Sequence, residues 1–385
     1  MSTVLLRVFV LFIAGAVVSA AALAQSSISF TDTEIQQIRA HGPWPIDFPD
    51  DPGNELSTLP WAVQLGEQFF NDKNLSGPGS VSCADCHHAD KGFSDGLPVA
   101  QGTGTHVRNT QGLLNIALQR WLGWDGGADS LWAASLRPMF NEIEMQNTEQ
   151  GVAEYIRMLP ESIWQYARLP NNTPINIKDL DAAQLSVLVA KTIAAYTRTL
   201  SSPETEFDRF RMALLKNDQT EINEYPAAAK RGLKLFLGEA NCWLCHFGPN
   251  FSNGEFHDVG RPFLTGVGQV DPGRYNGIKR LRQDPYNLLG EFAQSATELE
   301  KLKTESVKLG QSNWGEWRTP TLRNLSLTAP YMHDGSIPTL RGVVDFYADI
   351  DPDRLHTDGE AILKPMELSE QQREDLVTFL LTLSP

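Results

Sequence analysis

The sequence predicts a mainly α-helical protein built from two similar halves, because a set of landmarks recurs in the same order along the chain. Gly66 in LPWAVQLGEQFF and Gly232 in PAAAKRGLKLFLG each precede large apolar side chains at the third and fourth following positions, a spacing typical of helices. A Cys-x-x-Cys-His motif follows in each half, and then come Phe-Ser-Asp-Gly at 93–96 and Phe-Ser-Asn-Gly at 251–254. Repetition of this kind indicates a duplicated structural unit.

Two further landmarks complete the repeat. The pattern Thr-x-x-Leu-x-Asn stands at 110–115 and again at 319–324. Downstream, WDGGADSLWAASLRP at 124–138 matches HDGSIPTLRGVVDFY at 333–347, since each runs aromatic ring, Asp, Gly, four residues, Leu and seven more. We place the joint near Ser201-Ser202-Pro203, where turn-forming residues cluster. The two domains are therefore expected at 25–202 and 203–385.

Four segments outside the repeat also carry a structural signal. The Gly- and Pro-containing stretches at 42–60 and 260–290 are expected to be long loops. The charged stretch ATELEKLKTESVKL is expected to be helical. A C-terminal helix is expected after Ser369, which forms a capping box with Gln372, and its apolar residues on one face are expected to pack in the core.

The N-terminus, MSTVLLRVFVLFIAGAVVSAAALAQ, is typical of a secretory signal peptide at 1–24. One Arg precedes an apolar run, and Ala22-Leu23-Ala24 fits a small-x-small cleavage site. A transmembrane anchor is the alternative, but the apolar run from Val8 is shorter than the roughly 20 residues that span a bilayer. We therefore expect cleavage after Ala24 and export to the periplasm.

The charge balance is acidic. The chain has 32 Lys and Arg residues against 47 Asp and Glu residues, a formal net charge of −15. Nucleic acid is therefore not an expected partner, whereas a basic protein is attracted by such a charge. No segment after the N-terminus is long and apolar enough to predict a membrane span, so no membrane partner is expected.

All four cysteines lie in the two Cys-x-x-Cys-His motifs, Cys83-Ala-Asp-Cys86-His87 and Cys242-Trp-Leu-Cys245-His246. In an exported protein this motif is the signature of c-type heme attachment, where both thiols form thioethers and the His binds the iron. A four-thiolate zinc site or two short disulfides are alternatives, but neither explains a His directly after both pairs. The sequence therefore predicts two covalent c-type hemes in two cytochrome-c-like domains related by an internal repeat.

The end of the last landmark distinguishes the two hemes. A cytochrome c domain usually supplies a second axial ligand from its C-terminal half, and there Tyr347 of the second copy matches Pro138 of the first. A phenolic oxygen can bind ferric iron, because the charge of the metal lowers a pKa that is normally about 10. The repeat thus favours a His246/Tyr347 iron and a His87 iron with an open sixth position. Tyr347 as a core aromatic is the simpler interpretation, and the rival ligands are Met332 and Met366.

These residues resemble the bacterial diheme cytochrome c peroxidase and MauG superfamily over nearly all of the chain after the signal peptide. The specific stretches are Arg108-Asn109-Thr110, Trp124-Asp125-Gly126 through Glu144-Met145, and Thr319-Pro320-Thr321-Leu322-Arg323-Asn324 through Tyr331-Met332-His333-Asp334-Gly335. In ordinary diheme peroxidases a Met lies fourteen residues after the His of the His-Asp-Gly motif. Here that position is Tyr347, as in MauG-type enzymes, so the resemblance implies that Tyr347 binds the second iron.

The resemblance also implies roles around the open heme. Pro138 matches the proline that MauG-type enzymes place over that heme. Gln101 matches the loop position of the His that closes the first heme of ordinary peroxidases, and the only His of this loop is His106. Trp124 matches the tryptophan between the two hemes, which relays electrons. Glu144 matches the acid/base of the pocket, which moves a peroxide proton.

Each of these assignments has a structural alternative. Trp124 is also explained as a buried aromatic side chain. Glu144 is also explained as a solvent-facing carboxylate. Glu142 lies so close in the sequence that an error of one turn in the alignment would give it the role instead. MauG-type enzymes have a glutamine in this pocket where the present chain has Ala134, so the resemblance does not extend to this residue.

The family also holds a calcium ion between its domains. Asn109 matches its side-chain ligand, and Thr328 and Pro330 match two backbone carbonyl donors. Oxygen ligands and waters are the donors that calcium prefers. An Asn and two carbonyls are nearly always structural, so this site depends on the resemblance alone.

The expected function is that of a periplasmic, peroxide-dependent diheme oxidoreductase. In the favoured interpretation it is MauG-like and oxidises a Trp or Tyr of a protein partner by long-range electron transfer. The alternative is a peroxidase that reduces hydrogen peroxide to water with electrons from a small cytochrome c or cupredoxin. The tyrosine in place of methionine favours the first, because a His/Met iron accepts electrons more readily than a His/Tyr iron does. An electron carrier without catalysis would need two closed irons, which Pro138 disfavours.

Overall fold

The structure is a computed structural model that describes residues 28–261, 264–266, 269–351, 353 and 362–385. The signal peptide expected at 1–24 lies outside these residues. Helices dominate the described chain, so the predicted mainly α fold class is confirmed. Among the described helices, none is long and apolar enough to cross a membrane.

Helices make up most of the regular structure, and four short strands form two small antiparallel sheets, β1 with β4 and β2 with β3. The helices are α1 (Asp32–Ala40), α2 (Pro60–Phe70), α3 (Cys83–Cys86), α4 (Leu131–Phe140), α5 (Glu149–Met158), α6 (Glu161–Trp164), α7 (Ala182–Thr197), α8 (Glu206–Lys216), α9 (Gln219–Glu224), α10 (Ala227–Leu237), α11 (Arg274–Gln283), α12 (Glu298–Glu305), α13 (Leu340–Ala348) and α14 (Glu370–Leu381). The strands are β1 (Phe256–Asp258), β2 (Leu264–Gly266), β3 (Gln269–Val270) and β4 (Glu316–Arg318).

A glycine lets two helices touch in each half. In α2, a Cβ added to Gly66 would lie 1.9 Å from the carbonyl oxygen of Thr192 in α7. In α10, a Cβ added to Gly232 would lie 2.0 Å from the carbonyl oxygen of Asp375 in α14. No larger residue permits such backbone contact. The glycine of the first landmark therefore sets the same close helix crossing in both halves.

Helices α4 and α13 follow the matched Trp-Asp-Gly and His-Asp-Gly stretches and begin in the same way. The hydroxyl of Ser130 accepts a hydrogen bond from the Ala133 amide at 3.3 Å, and that of Thr339 accepts one from the Gly342 amide at 3.0 Å. These N-caps satisfy amides that the first helical turn leaves unpaired. The helices therefore start at matching residues, which places the last residues of the two stretches at the same position in each helix.

Two hydrophobic clusters form the core. The first is built mainly from α2, α4, α5 and α7, and the second mainly from α8, α10, α13 and α14. Each also takes residues from the other side of the predicted joint. The first includes Tyr286, Leu288, Ala293 and Ala296, and the second includes Ile38 of α1. The bounds 25–202 and 203–385 stay a prediction, and two segments pack across their joint.

The prediction of a long loop at 260–290 is wrong for α11. This helix contains few apolar residues, so the sequence lacks the periodic stripe that indicates a buried helix. Its buried face uses Ile278 and Leu281 together with Arg274 and Gly277, which contact the first half of the chain. The helices predicted in ATELEKLKTESVKL and after Ser369 are confirmed as α12 and α14.

Candidate active site

The first Cys-x-x-Cys-His motif forms the short helix α3. The amide and hydroxyl of Ser82 both donate to Asp85 at 2.8 Å and hold the start of this turn. Cys83 and Cys86 therefore lie one helical turn apart. The Nδ1 atom of His87 lies 2.7 Å from the carbonyl oxygen of Phe93. Because a carbonyl only accepts, Nδ1 carries the hydrogen and Nε2 keeps the lone pair that a metal needs.

The second motif repeats this arrangement on a 3-10 turn at Cys242–Leu244. The Nδ1 atom of His246 donates to the carbonyl oxygen of Phe251 at 2.9 Å. Phe93 and Phe251 share a left-handed backbone, with φ of 61° and 49°. Burial lowers the pKa of the His87 ring and lowers that of His246 to about 4, so both rings are neutral at neutral pH. Neutral, oriented imidazoles of this kind are suited to bind heme iron.

The alternatives of zinc binding and disulfide formation find no support in the described chain. The structure contains no disulfide bond between any of the four cysteines. Within the described ranges there is no group of three or more His, Cys, Asp or Glu side chains that could hold a metal ion. Burial raises the pKa of Cys83 and of Cys242 to about 12, so both thiols are protonated as long as no group is bound to them.

A cavity of about 530 Å³ opens beside the second motif, a size that fits a bound cofactor. Cys242, Cys245 and His246 line it, and so does Tyr347 on α13. Burial raises the pKa of the Tyr347 phenol, with nearby Arg261 acting in the opposite direction, so the phenol is neutral unless a cation such as iron binds it.

The rival ligands lie around the same cavity. Met332 and Met366 both line it together with Tyr347. The amide of Met366 donates to the carbonyl oxygen of Ala348 at 2.8 Å, which brings this segment against the end of α13. Tyrosine ligation of the second iron therefore stays a prediction, with both methionines within the same space.

Pro138 occupies in α4 the position that Tyr347 occupies in α13, since each lies seven residues after the first residue of its helix. Ala134 is partly buried on the preceding turn of α4. The side chain of Pro138 has no donor atom, whereas Tyr347 has its phenolic oxygen. The difference noted in the sequence is therefore also a difference between equivalent helical positions.

Glu144 lies in the loop that follows α4. The amide of Met145 donates to the carbonyl oxygen of Pro138 at 3.1 Å, which folds this loop back on the helix end. The Nδ2 atom of Asn141 donates to Oε1 of Glu144 at 2.7 Å. Glu144 is partly buried and Glu142 is exposed, which favours Glu144 as the pocket carboxylate.

The loop with Gln101 and His106 lies against this carboxylate. Gln101 is exposed, and its Oε1 accepts a hydrogen bond from the Thr105 hydroxyl at 2.9 Å. Its carbonyl oxygen lies 3.5 Å from the sulfur of Cys86, so the loop runs past the first motif. The Nε2 atom of His106 lies 3.7 Å from Oε1 of Glu144. The structure thus brings His106 next to the predicted acid/base.

Trp124 lies at the contact of the two halves. Its Nε1 donates to the carbonyl oxygen of Asn109 at 2.9 Å, and its own carbonyl accepts from the Arg318 amide at 3.0 Å. The indole ring meets the His333 ring edge-on at 6.5 Å, and both line the cavity of the second motif. Trp124 is thus an aromatic residue on the wall between the halves, which is the location that an electron relay needs.

Two further features of this contact were missed by the sequence reasoning. Trp317 stacks on His333, with ring centroids 3.6 Å apart and planes at 12°. Arg108 donates to Asp125 at 2.6 Å and to both oxygens of Asp271 at 2.6 and 2.8 Å. The repeat could have indicated that Trp317 lies near this contact, because Trp317 stands two residues before Thr319 of the Thr-x-x-Leu-x-Asn landmark.

The buried carboxylate of Asp125 is the electrostatic centre of the contact. Burial alone would raise its pKa, but the guanidinium groups of Arg108, Arg137 and Arg280 hold that pKa well below its usual range. Arg280 on α11 also forms an ion pair with Asp125. Asp125 therefore stays ionised and joins the two halves of the chain through α11.

The residues expected to hold calcium lie together at the edge of the second cavity. Asn109, Thr328 and Pro330 all line it. The Nδ2 atom of Asn109 donates to the carbonyl oxygen of Leu97 at 2.8 Å, which turns the amide oxygen Oδ1 away from that carbonyl. An amide oxygen and backbone carbonyls are donors of the type that calcium takes.

Comparison with known proteins identifies the family. The model of the family described as di-haem cytochrome c peroxidase matches residues 60–217. The methylamine utilization protein MauG of Methylorubrum extorquens is 32% identical over 96% of this chain and 90% of its own length. The chain belongs to the di-haem cytochrome c peroxidase and MauG family. As a member of this family, it is an oxidoreductase that acts with hydrogen peroxide and carries two c-type hemes.

Relatives under both family names match to a similar degree. The cytochrome-c peroxidase IdrP2 of a Pseudomonas species is 33% identical over 84% of this chain and 82% of its own length. Among solved structures, a MauG-like protein associated with microbial copper homeostasis is 25% identical and covers 89% of this chain and 94% of its own, with a TM-score of 0.65. The diheme peroxidase BthA of Burkholderia thailandensis, 20% identical with a TM-score of 0.67, covers 85% of this chain and 86% of its own and supports the fold.

Proposed function

We propose that this protein is MauG-like: hydrogen peroxide reacts at the first heme, bound by His87, and a protein partner is oxidised through the second heme, bound by His246 and Tyr347. The observation that carries this proposal is the equivalence of Pro138 and Tyr347 in α4 and α13. Tyr347 would supply an oxygen donor to a heme iron, whereas Pro138 would supply none. An anionic oxygen ligand stabilises oxidised iron, which suits the storage of oxidising equivalents.

The side chains around the first motif divide the work of peroxide reduction, in which hydrogen peroxide takes up two electrons and two protons and gives two water molecules. Heme supplies the redox chemistry and an open iron position. Glu144 takes a proton from one peroxide oxygen and delivers it to the other, while Asn141 holds its Oε1 atom. Pro138 offers no ligand that competes with peroxide. Trp124 carries the two electrons, one at a time, across the contact between the halves.

The two electrons come from a Trp or Tyr side chain of the protein partner, in which two bonds to hydrogen are replaced by one new covalent bond, and the two protons so released balance the two that peroxide takes up. This partner docks outside the second heme, where Phe247, directly after the attachment motif, is an exposed hydrophobic residue. The excess of acidic residues favours a partner with a basic surface. We place the protein in the periplasm after cleavage following Ala24, because c-type heme attachment and a signal peptide occur together in exported proteins.

The second candidate function is a peroxidase that takes electrons from a small cytochrome c or cupredoxin. Met366 favours it, because this methionine lines the same cavity as Tyr347. A His246/Met366 iron would have the high potential that accepts electrons readily. The axial ligand of the second iron therefore distinguishes the two functions.

We also propose that Asn109, with the carbonyl oxygens of Thr328 and Pro330, binds a calcium ion between the two halves. Its support is their common position at the edge of the second cavity. Treatment with a calcium chelator should then change the low-spin heme spectrum, and added calcium should restore it. An unchanged spectrum, with no calcium found in the untreated protein, would exclude the site.

Electron paramagnetic resonance of the ferric protein tests the proposed function. One high-spin and one low-spin signal are expected, followed by a long-lived oxidised state after one addition of hydrogen peroxide. Tyr347→Phe should abolish the low-spin signal, whereas Met366→Leu should leave it unchanged. Tyr331→Phe is the matched control, since Tyr331 lines the same cavity but donates its hydroxyl hydrogen to the carbonyl of Leu325.

Two results would overturn the MauG-like proposal. A low-spin signal that is lost in Met366→Leu and kept in Tyr347→Phe would assign a His/Met iron and favour the peroxidase. Two low-spin signals, with reaction towards peroxide only after one-electron reduction, would show that a protein ligand closes the first heme.

A further inference from the structure

We propose, resting on the role proposed above for Glu144, that His106 is a positioning residue for this carboxylate and not a ligand of the first iron. In this arrangement the neutral imidazole directs its Nε2 hydrogen at Oε1 of Glu144. Asn141 donates to the same oxygen. The other carboxylate oxygen, Oε2, is then left to exchange the proton of peroxide.

The hydrogen bond at the other ring nitrogen sets the tautomer of His106. Its Nδ1 atom accepts a hydrogen bond from the amide of Arg108 at 2.9 Å. A backbone amide only donates, so Nδ1 carries no hydrogen and the neutral ring carries its hydrogen on Nε2. That atom lies 3.7 Å from Oε1 of Glu144, just beyond hydrogen-bond distance, and catalytic hydrogen bonds that are long in a substrate-free structure often tighten when substrate binds.

The backbone holds the two loops of this pair together. The amide of Thr103 donates to the carbonyl oxygen of Glu144 at 2.9 Å, and the amide of Gly104 donates to that of Ile143 at 3.0 Å. The Thr103 hydroxyl adds a third bond at 2.8 Å, to the carbonyl oxygen of Glu142. Gly102 permits this approach, since a Cβ there would lie 2.5 Å from the Glu144 carbonyl oxygen. The distance between the two side chains is therefore set by paired main chains.

The same tautomer disfavours His106 as an iron ligand. A histidine that binds iron through Nε2 keeps its hydrogen on Nδ1. In His106, that hydrogen would face the amide hydrogen of Arg108, so two donors would oppose each other. Binding iron through Nε2 would thus require the ring to give up this hydrogen bond.

The charged surroundings agree with a neutral ring. Burial lowers the pKa of His106, and the Glu144 carboxylate acts in the opposite direction. The groups that face the pair from the surrounding elements are Cys83, Cys86, His87, Arg108, Arg137 and Asp271. The cations Arg108 and Arg137 oppose protonation of the ring, so His106 acts as a neutral hydrogen-bond donor and not as an acid.

Cyanide binding to the ferric holoprotein, followed as a function of pH, tests the role of His106 without turnover. Hydrogen cyanide must lose its proton to a base before the anion binds iron, so its association rate reports on Glu144. His106→Phe, which keeps a ring but no donor, should move the acid limb of this profile up by about one pH unit. His106→Gln, which keeps an N–H donor, should have a pH profile close to that of wild type. Val107→Ala is the control for disturbance of the loop.

The variants separate this inference from the role of Glu144. Glu144→Gln should slow cyanide association and the peroxide reaction about 100-fold. If it does not, the roles of both residues are overturned. If it does, but His106→Phe has the wild-type pH profile, only the positioning role is overturned. The electron paramagnetic resonance signal of the first heme should be high-spin in wild type and in both His106 variants. A low-spin signal in wild type that becomes high-spin in both variants would instead identify His106 as the iron ligand.

Discussion

The guanidinium carbon of Arg108 lies 5.1 Å from the ring centroid of Trp317, and these two residues hold equivalent places in the repeat. Each precedes the threonine of the Thr-x-x-Leu-x-Asn landmark by two residues. Trp317 stacks on His333. The ring of His333 in turn contacts that of Trp124, and Trp124 is the residue of the first copy that matches His333. Corresponding segments of the two copies thus face each other where the heme-binding halves meet.

Trp124→Phe should uncouple the two hemes. The substitution removes the indole that lies between the halves and its hydrogen bond to Asn109, so oxidising equivalents formed at the first heme should no longer be shared with the second. The long-lived spectrum after peroxide should then be replaced by a signal from the first heme alone, as measured by rapid-scan absorption.

Trp61→Phe provides the control for this change. The Nε1 atom of Trp61 donates to the carbonyl of Arg168 at 3.0 Å, a bond of the same type, so each variant should lose about 1 kcal/mol of stability. If Trp124→Phe and Trp61→Phe give the same spectra after peroxide, Trp124 is not the relay.

Asp125→Asn should destabilise the contact between the halves. The carboxylate is fully buried and pairs with Arg108 and Arg280, and it is also the main counter-charge of the buried Arg137, so removing its charge leaves that guanidinium without its main compensation. The expected loss is about 3–5 kcal/mol, measured by urea unfolding. Glu255→Gln breaks a pair with Arg120 that is about half exposed, and it should cost less than about 1 kcal/mol. Equal losses in the two variants would contradict the assignment.

Gly66→Ala should force α2 away from α7. The added methyl group would lie 1.9 Å from the Thr192 carbonyl oxygen, so the helices must separate, at a cost of about 1–3 kcal/mol. Gly310→Ala is the control, because the nearest atom to a Cβ there lies at 3.5 Å. Its effect on the thermal unfolding temperature should be small. A tolerated Gly66→Ala would mean that the crossing does not depend on glycine.

His41 should contribute to destabilisation by acid. Burial among Phe207, Phe236 and Phe251, with added repulsion from Arg323 and Arg211, lowers its pKa from 6.5 to about 3. Below pH 6.5 the unfolded chain therefore takes up a proton that the folded chain excludes. The stabilising contribution of neutral His41 should be fully present above this pH and should decrease as the pH drops towards 3.

His41→Phe tests the size of this effect. It removes the titrating group and keeps an aromatic ring in the cluster. Between pH 7 and 4.5, wild type should lose roughly 2–3 kcal/mol more unfolding free energy than the variant. Equal losses in urea unfolding at the two pH values would show that His41 does not titrate in this way.

Much of the site could be predicted because its chemistry is local in the chain. Heme attachment needs cysteines at a fixed short spacing and a histidine beside them, and a repeat makes such a motif visible twice. The N-caps at Ser130 and Thr339 are equally local, so the matched starts of α4 and α13 follow from adjacent residues. The comparison of Pro138 with Tyr347 depended only on these local features and on the repeat.

The rest depended on how distant segments meet. Arg108 with Asp271, Trp317 with His333 against Trp124, and α11 with Asp125 join residues from different parts of the chain, and no short pattern encodes such contacts. The packing of residues 286–296 on the first core was hidden for the same reason. His106 lies beside Glu144 because two loops pair through their main chains, and main-chain hydrogen bonds leave no mark in the order of side chains.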